Sequence, residues 1–127
     1  MELSISVVIF SISALVISLL QTGLMLGAPW GECAMGGVHP GRFPVKLRIS
    51  AAVQLGIIML SWLLVLVRAR VVLSEHFEPS RFAIWFVVGL FAISSVLNII
   101  TSSRKERILG APIAMMMFLS SLSIAMS

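Results

Sequence analysis

Four long apolar runs, separated by short polar connections, make up most of the chain. They cover residues 3–27, 49–67, 82–100 and 108–126, and none of the nine Lys and Arg or five Asp and Glu lies in the middle of a run. A hydrocarbon layer about 30 Å thick needs roughly 20 helical residues to cross it. Lipid also offers no hydrogen-bond partner for backbone N–H and C=O groups, so a single spanning segment has to be helical. The pattern predicts an all-α polytopic membrane protein, with four transmembrane helices in an antiparallel bundle and a single domain over residues 1–127.

Composition supports this class. The chain is 59% hydrophobic and 11% charged, with a mean hydropathy of +1.10, whereas soluble domains carry roughly 25% charged residues. The lipid bilayer is therefore the first expected partner. The protein's net charge of +4 does not indicate a nucleic-acid partner, because the basic residues are divided among the three connections and are not gathered on one face. We expect no nucleic-acid partner.

The basic residues also predict how the chain is oriented. Alternate connections share a side of the bilayer, and the first and third together hold six Lys and Arg against three in the second. Cytoplasmic loops carry the excess of positive charge. We therefore expect the first and third connections in the cytoplasm, with both termini and the second connection outside.

Local signals mark the starts of the last two helices. Ser80 is expected to cap the third helix with its hydroxyl. Ser103 and Glu106 have the spacing of a capping box ahead of the fourth run. With that box, the fourth helix starts in the third connection and contains Pro112. The alternative is a helix that begins at Gly110, with the proline in its first turn.

Small and weakly polar residues recur along each run at helical spacings. They are Ser4, Ser11, Ser18, Gly23 and Gly27 in the first, Ser50, Ala52, Gln54, Gly56 and Ser61 in the second, Gly89, Ser94, Ser95 and Asn98 in the third, and Ser120, Ser121 and Ser123 in the fourth. Such residues let helices approach closely and bond to one another, at about 0.6 kcal/mol for each hydrogen bond. The alternative is a polar path or pocket at Gln54 and Asn98. Packing is the preferred interpretation, because no ionisable residue joins the set.

The first connection, residues 27–48, is the most distinctive segment, with five of the nine Gly and three of the five Pro. A loop of this length without regular structure is often functional. Its candidate binding residues are Trp30, Glu32 and His39. Glu32, Cys33 and His39 are too few to form a metal site, and they lack standard zinc spacing. We therefore expect no metal and no cofactor. A nucleophile and base made of Cys33 and His39 is the alternative to a rigid interfacial cap with basic residues near the head groups.

Two segments carry a resemblance: Gly27-Ala-Pro-Trp-Gly31 with Gly36-Gly37 and Pro40-Gly41, and the stretch from Ser103 to Pro112 with Glu106-Arg107. Together they resemble a family of small, uncharacterised four-helix membrane proteins of bacteria. The resemblance implies the four-helix fold and a bacterial cytoplasmic membrane location. It implies no activity.

Two function hypotheses follow. The first, which the sequence favours, is a non-enzymatic membrane component that packs with itself as a homo-oligomer, or with a partner membrane protein, through the small residues. The second is a transporter or channel for a small molecule, ion or lipid, with its site near Gln54 and Asn98. An enzyme ranks third, with Cys33 as its best candidate. The uncharged runs argue against proton exchange through a buried carboxylate.

Overall fold

A computed structural model describes residues 4–33, 41–70, 75, 77–101 and 103–126, with the backbone alone at 32 and 77. The described chain forms four α-helices: α1 Ile5–Leu26, α2 Val45–Arg68, α3 Phe77–Ile100 and α4 Arg104–Met126. A short 3₁₀ helix, Gly31–Cys33, lies between α1 and α2. All four α-helices are long and apolar enough to cross a membrane, which confirms the predicted all-α four-helix fold.

The helices pack in the order in which they follow one another. α1 contacts α2 and α4, and α3 contacts α2 and α4, with the most extensive contact between α3 and α4. Each helix is therefore antiparallel to its neighbours. One end of the bundle holds the C-termini of α1 and α3 and the N-termini of α2 and α4. We call it the first-connection end, and the other the second-connection end.

An apolar core fills the middle of the bundle and extends toward the second-connection end. Phe10 and Phe91 are both buried, and their rings meet edge to face with centroids 5.6 Å apart. Met117 and Val65 belong to the same buried cluster. Large apolar side chains also cover the outside of all four helices. A helix that is apolar all round is typical of a membrane span.

Three helices begin earlier than the apolar runs predict. α2 and α3 start at Val45 and Phe77, so the predicted starts at 49 and 82 are wrong by four or five residues. α4 starts at Arg104, four residues before its apolar run and inside the third connection. α1 starts two residues later and ends one residue earlier than its apolar run. Hydropathy marks the part of a segment that fits the hydrocarbon layer. Helical hydrogen bonding does not stop at that boundary, and it continues into the charged connections.

The prediction for the start of α3 is also wrong. Ser80 lies inside the helix and is buried, so it is not the N-cap. Pro79 occupies the first turn of α3, where a backbone N–H has no helical partner and its absence costs no hydrogen bond. The proline therefore lies within the first turn of α3. The sequence prediction had placed the start of the helix after this proline.

The start of α4 follows the capping-box prediction. The Ser103 hydroxyl accepts a hydrogen bond from the Glu106 backbone N–H at 3.3 Å. Pro112 lies inside α4, so the alternative start at Gly110 is wrong.

The two glycines at the end of α1 have different neighbours: Gly23 lies against the ring of Trp30, and Gly27 lies against the side chains of Arg42 and of Arg48 in α2. Gly27 ends α1 in the left-handed conformation, with φ 96°, and the Ala28 N–H donates to the Gly23 carbonyl at 2.8 Å. This is a common way for a helix to end at glycine. A Cβ at Gly23 would collide with the ring of Trp30. At Gly23 the predicted GxxxG packing between helices is therefore replaced by contact with a residue of the first connection, whereas Gly27 contacts a side chain of α2.

The serines of α1 have three different roles. Ser4 caps the helix by accepting from the Val7 N–H at 3.2 Å. Ser11 accepts from the Trp62 indole N–H of α2 at 2.9 Å, and Ser18 is buried. The predicted bonding between helices is confirmed at Ser11, whereas Ser4 is a helix cap.

Candidate functional site

A cavity of about 210 Å³ lies among the four helices toward the first-connection end. Its polar lining consists of Gln21, Cys33, Gln54, Ser94, Asn98 and Glu106. Apolar side chains that include Ile17, Ile58, Phe91 and Met117 complete the walls. For comparison, a dry apolar cavity of about 150 Å³ holds benzene. The space therefore suits a small organic molecule with an apolar body and a polar head.

Two glutamines form one polar wall. The Gln21 side-chain N–H₂ donates to Gln54 Oε1 at 2.9 Å, which joins α1 to α2. A longer contact of 3.5 Å leads from the Gln54 amide to the Ser50 hydroxyl. Gln21 is buried, and an amide at that position needs a partner because burying it unpaired is costly. The bond fixes Gln54 against the cavity.

Asn98 forms the opposite wall, near the end of α3. Its side-chain N–H₂ donates to the Ser94 carbonyl one turn earlier at 2.7 Å. Its Oδ1 lies against Gly110 of α4, where a Cβ would collide with it. The glycine therefore allows α4 to approach the amide closely. The same Cβ position would lie 3.7 Å from Glu106 Cγ, so Asn98 and Glu106 flank Gly110.

Glu106 corrects an expectation from the sequence. Its side chain is 8% exposed and lines the same cavity as Gln54 and Asn98, so an ionisable group does join the polar set. Among the described lining residues it alone has a carboxyl group. It lies in the first turn of α4, where the helix dipole favours a negative charge. This finding also removes the argument against a mechanism with a buried carboxylate.

The sequence contained a signal for Glu106 that was missed when the residue was counted with the third connection. The residue stands among Arg104, Lys105 and Arg107 and therefore looks like part of a solvated loop. It is also four positions before Gly110 and eight before Ala114, which are both buried. That spacing places it on the inner face of the helix.

The first connection folds onto this end of the bundle. The Gly31 N–H donates to the Gly41 carbonyl at 2.9 Å, which brings the two sides of the connection together. The 3₁₀ helix that follows Trp30 contacts α4, and Cys33 lines the cavity. The Cys33 N–H donates to the Trp30 carbonyl at 2.9 Å. The connection thus supplies part of the cavity wall.

The predicted site residues separate into three groups. Gln54 and Asn98 meet at the cavity. Trp30 packs on Gly23 with an exposed side chain and is not among the lining residues. His39 and the side chain of Glu32 lie outside the described residues. The sequence prediction omitted Gln21 and Glu106.

The bond between Gln21 and Gln54 provides a test of the cavity geometry. We expect a double-mutant cycle with Gln21→Leu and Gln54→Leu to give a coupling of about 0.6–1.7 kcal/mol in the free energy of unfolding, because each substitution removes the same hydrogen bond between α1 and α2. Unfolding in mixed micelles is the measurement. The control pairs Gln54→Leu with Ser123→Ala at the other end of the bundle, where the effects should add. Additive effects for the glutamine pair would contradict the geometry.

Comparisons with protein-family models, with curated proteins and with solved structures give no match for this chain. The functional argument therefore depends on the geometry of the cavity and on the chemistry of its lining residues.

Proposed function

We propose that this integral membrane protein binds a small amphipathic molecule in the cavity at the first-connection end, as a transporter or channel does. One observation carries the proposal. Gln54, Asn98 and Glu106 come from three different helices and converge on a single cavity with apolar walls. Sites for small molecules in membrane bundles are formed by a few polar groups between helices. The second hypothesis from the sequence therefore has more support than the first.

The lining favours a ligand with a cationic or donor-rich head. Glu106 supplies a carboxylate, which accepts hydrogen bonds when it is ionised. A carboxylate that lines a cavity attracts a positively charged group of a bound molecule. Gln54 and Asn98 add amide groups on the neighbouring walls. We therefore infer that the ligand class is a small organic ammonium ion with an apolar body.

Benzylammonium is a suitable probe, because it joins an ammonium head to a ring that the cavity can hold. We expect it to bind the purified protein in detergent, with an affinity about tenfold or more weaker in Glu106→Gln, since a hydrogen bond to a charged group is lost. Asn98→Leu should weaken binding too. Calorimetric titration measures the affinities, and saturable uptake into proteoliposomes measures transport.

Glu78→Gln is the matched control, because Glu78 is exposed at the other end of the bundle. Its affinity for benzylammonium should equal that of the unchanged protein. Benzoate has the same ring and the opposite charge, and it should not bind. Equal binding of benzoate, or unchanged affinity in both Glu106→Gln and Asn98→Leu, would overturn the proposal.

Self-association is the second candidate function, and one observation favours it. Gly56 of α2 and Gly89 of α3 are exposed, and a Cβ at either position would meet nothing within 4 Å. Small residues on an outer face allow a helix from a second copy to approach closely. Packing of this kind would make a homo-oligomer or a complex with a partner membrane protein.

Gly56→Leu tests this candidate. We expect the larger side chain to lower the fraction of cross-linked dimer in membranes by about fivefold, because it holds the helices apart by roughly the width of a side chain. Val16→Leu changes an exposed side chain on α1, away from this face, and should leave the dimer fraction unchanged. An unchanged dimer fraction in Gly56→Leu, or no dimer in the unchanged protein, would reject self-association through this face.

We further propose that the protein lies in a bacterial cytoplasmic membrane, with both termini outside and the cavity at the cytoplasmic end. The excess of basic residues in the first and third connections supports the orientation. The resemblance to the small four-helix family supports the bacterial membrane.

Cysteine labelling tests the orientation in a Cys33→Ser background, which removes the single native cysteine. Glu75 and Arg104 are exposed in the second and third connections. We expect an impermeant maleimide to label Glu75→Cys in intact cells, and Arg104→Cys only after permeabilisation. The reverse pattern would invert the proposed topology.

A further inference from the structure

A second polar feature lies at the opposite end of the bundle. Three arginines, Arg68, Arg70 and Arg81, line an open recess of about 600 Å³ together with Phe82 and Trp85. The recess forms where α2 ends, α3 begins and α4 ends. It shares no lining residue with the cavity. Its chemistry is therefore independent of the proposed function.

The recess carries an excess of positive charge. Arg68 lies within electrostatic reach of both Arg70 and Arg81, which repel it as like charges. One carboxylate, Glu78, also lines the recess and is 3.4 Å from Arg81. Both of those side chains are exposed, and an exposed pair of this kind contributes little stability. Three guanidinium groups against one carboxylate favour an anionic ligand.

The helix dipole of α3 adds partial positive charge beside the recess. The N-terminus of α3 lies at this end of the bundle, and its first residues precede Arg81 directly. The free N–H groups of a helix N-terminus attract anions, and phosphate in particular. Guanidinium groups bind phosphate oxygens through paired hydrogen bonds. Phosphate is therefore the anion that these groups match best.

An apolar surface adjoins the arginines. Phe82 is 74% exposed and Trp85 48% exposed, three positions apart on α3. Tryptophan is enriched where membrane meets water, and both rings lie beside the charged recess. A soluble phosphate ion needs the arginines alone. A phospholipid also has an acyl chain that can lie on the two rings.

We propose that this recess binds the phosphate group of an anionic membrane phospholipid, with Arg70 and Arg81 on the phosphate and Phe82 and Trp85 on the acyl chain. Arg68 completes the positive surface from the end of α2. Zwitterionic lipids bind less well, because their own ammonium group repels the arginines.

The test measures lipid binding to the full chain in detergent by native mass spectrometry. We expect phosphatidylglycerol to bind about tenfold more tightly than phosphatidylcholine. In the double variant Arg70→Gln and Arg81→Gln this preference should fall to about twofold or less. The matched control, Lys46→Gln and Arg104→Gln, changes the net charge equally at exposed positions of the other end and should keep the preference.

Three outcomes would overturn the proposal. The first is an equal loss of the preference for phosphatidylglycerol in both double variants, which would mean that the lipid is attracted by net charge alone. The second is no preference for phosphatidylglycerol in the unchanged protein. Competition separates the sources of phosphate: displacement of the lipid by millimolar inorganic phosphate would assign the recess to a soluble anion and reject the lipid.

Phe82→Ser provides a test that does not depend on the arginines. Its side chain is exposed, so the substitution removes acyl contact and leaves the core unchanged. We expect it to weaken phosphatidylglycerol with long chains about threefold and to leave a short-chain form unaffected. Equal affinity for both forms in Phe82→Ser and in the unchanged protein would reject the role of the rings.

Discussion

The interior of a bilayer contains almost no hydrogen-bond partners, and the arrangement of this protein follows from that constraint. Every polar side chain in a span has to bond within its own helix or to a neighbouring one. Several serines take the first course: Ser61, Ser95 and Ser120 each donate to a carbonyl four residues earlier, at 2.8, 2.7 and 2.6 Å. Gln21 and Gln54 take the second course and join α1 to α2. Polar residues in these helices thus mainly form hydrogen bonds within the bundle. A binding site forms only where several of them face the same cavity.

The fold was predictable because one physical quantity, the thickness of the hydrocarbon layer, determines the length of each apolar run. The same quantity explains the errors. Helical hydrogen bonding continues past the lipid boundary, so Val45, Phe77 and Arg104 begin their helices inside charged connections. Glu106 was missed as a cavity residue although the capping-box spacing placed it in the first turn of α4, because it was counted with the basic residues of the third connection and its helix face was not considered. Gln54 and Asn98 were found because an isolated amide in an apolar run is conspicuous; Gln21 carries the same signal in the first run and was overlooked. Their meeting depends on helix rotation, which hydropathy does not report.

Glycine spacing proved a poor guide to what packs against the glycine. Gly23 and Gly27 have the spacing of a helix-pairing motif, yet one receives the ring of Trp30 and the other ends α1 with φ 96°. Gly110 has small-xxx-small spacing only with Ala114, which the sequence analysis did not single out, and it allows the closest approach at the cavity, between α4 and Asn98. The absence of a side chain permits contact but does not specify the partner. The partner depends on which element the chain brings opposite the glycine, and that is a property of the tertiary structure.

The two polar ends are separated by a closed apolar layer, and this limits how a transport cycle could work. Phe91 and Met117 contribute to the walls of the cavity and also belong to the core cluster that includes Phe10 and Val65. The buried edge-to-face pair of Phe10 and Phe91 lies on the second-connection side of the cavity. A molecule bound beside Glu106 would have to separate these rings to reach the other side. Among neighbouring helices, α2 and α3 make the least extensive contact, so separation along that pair would break the fewest packing interactions.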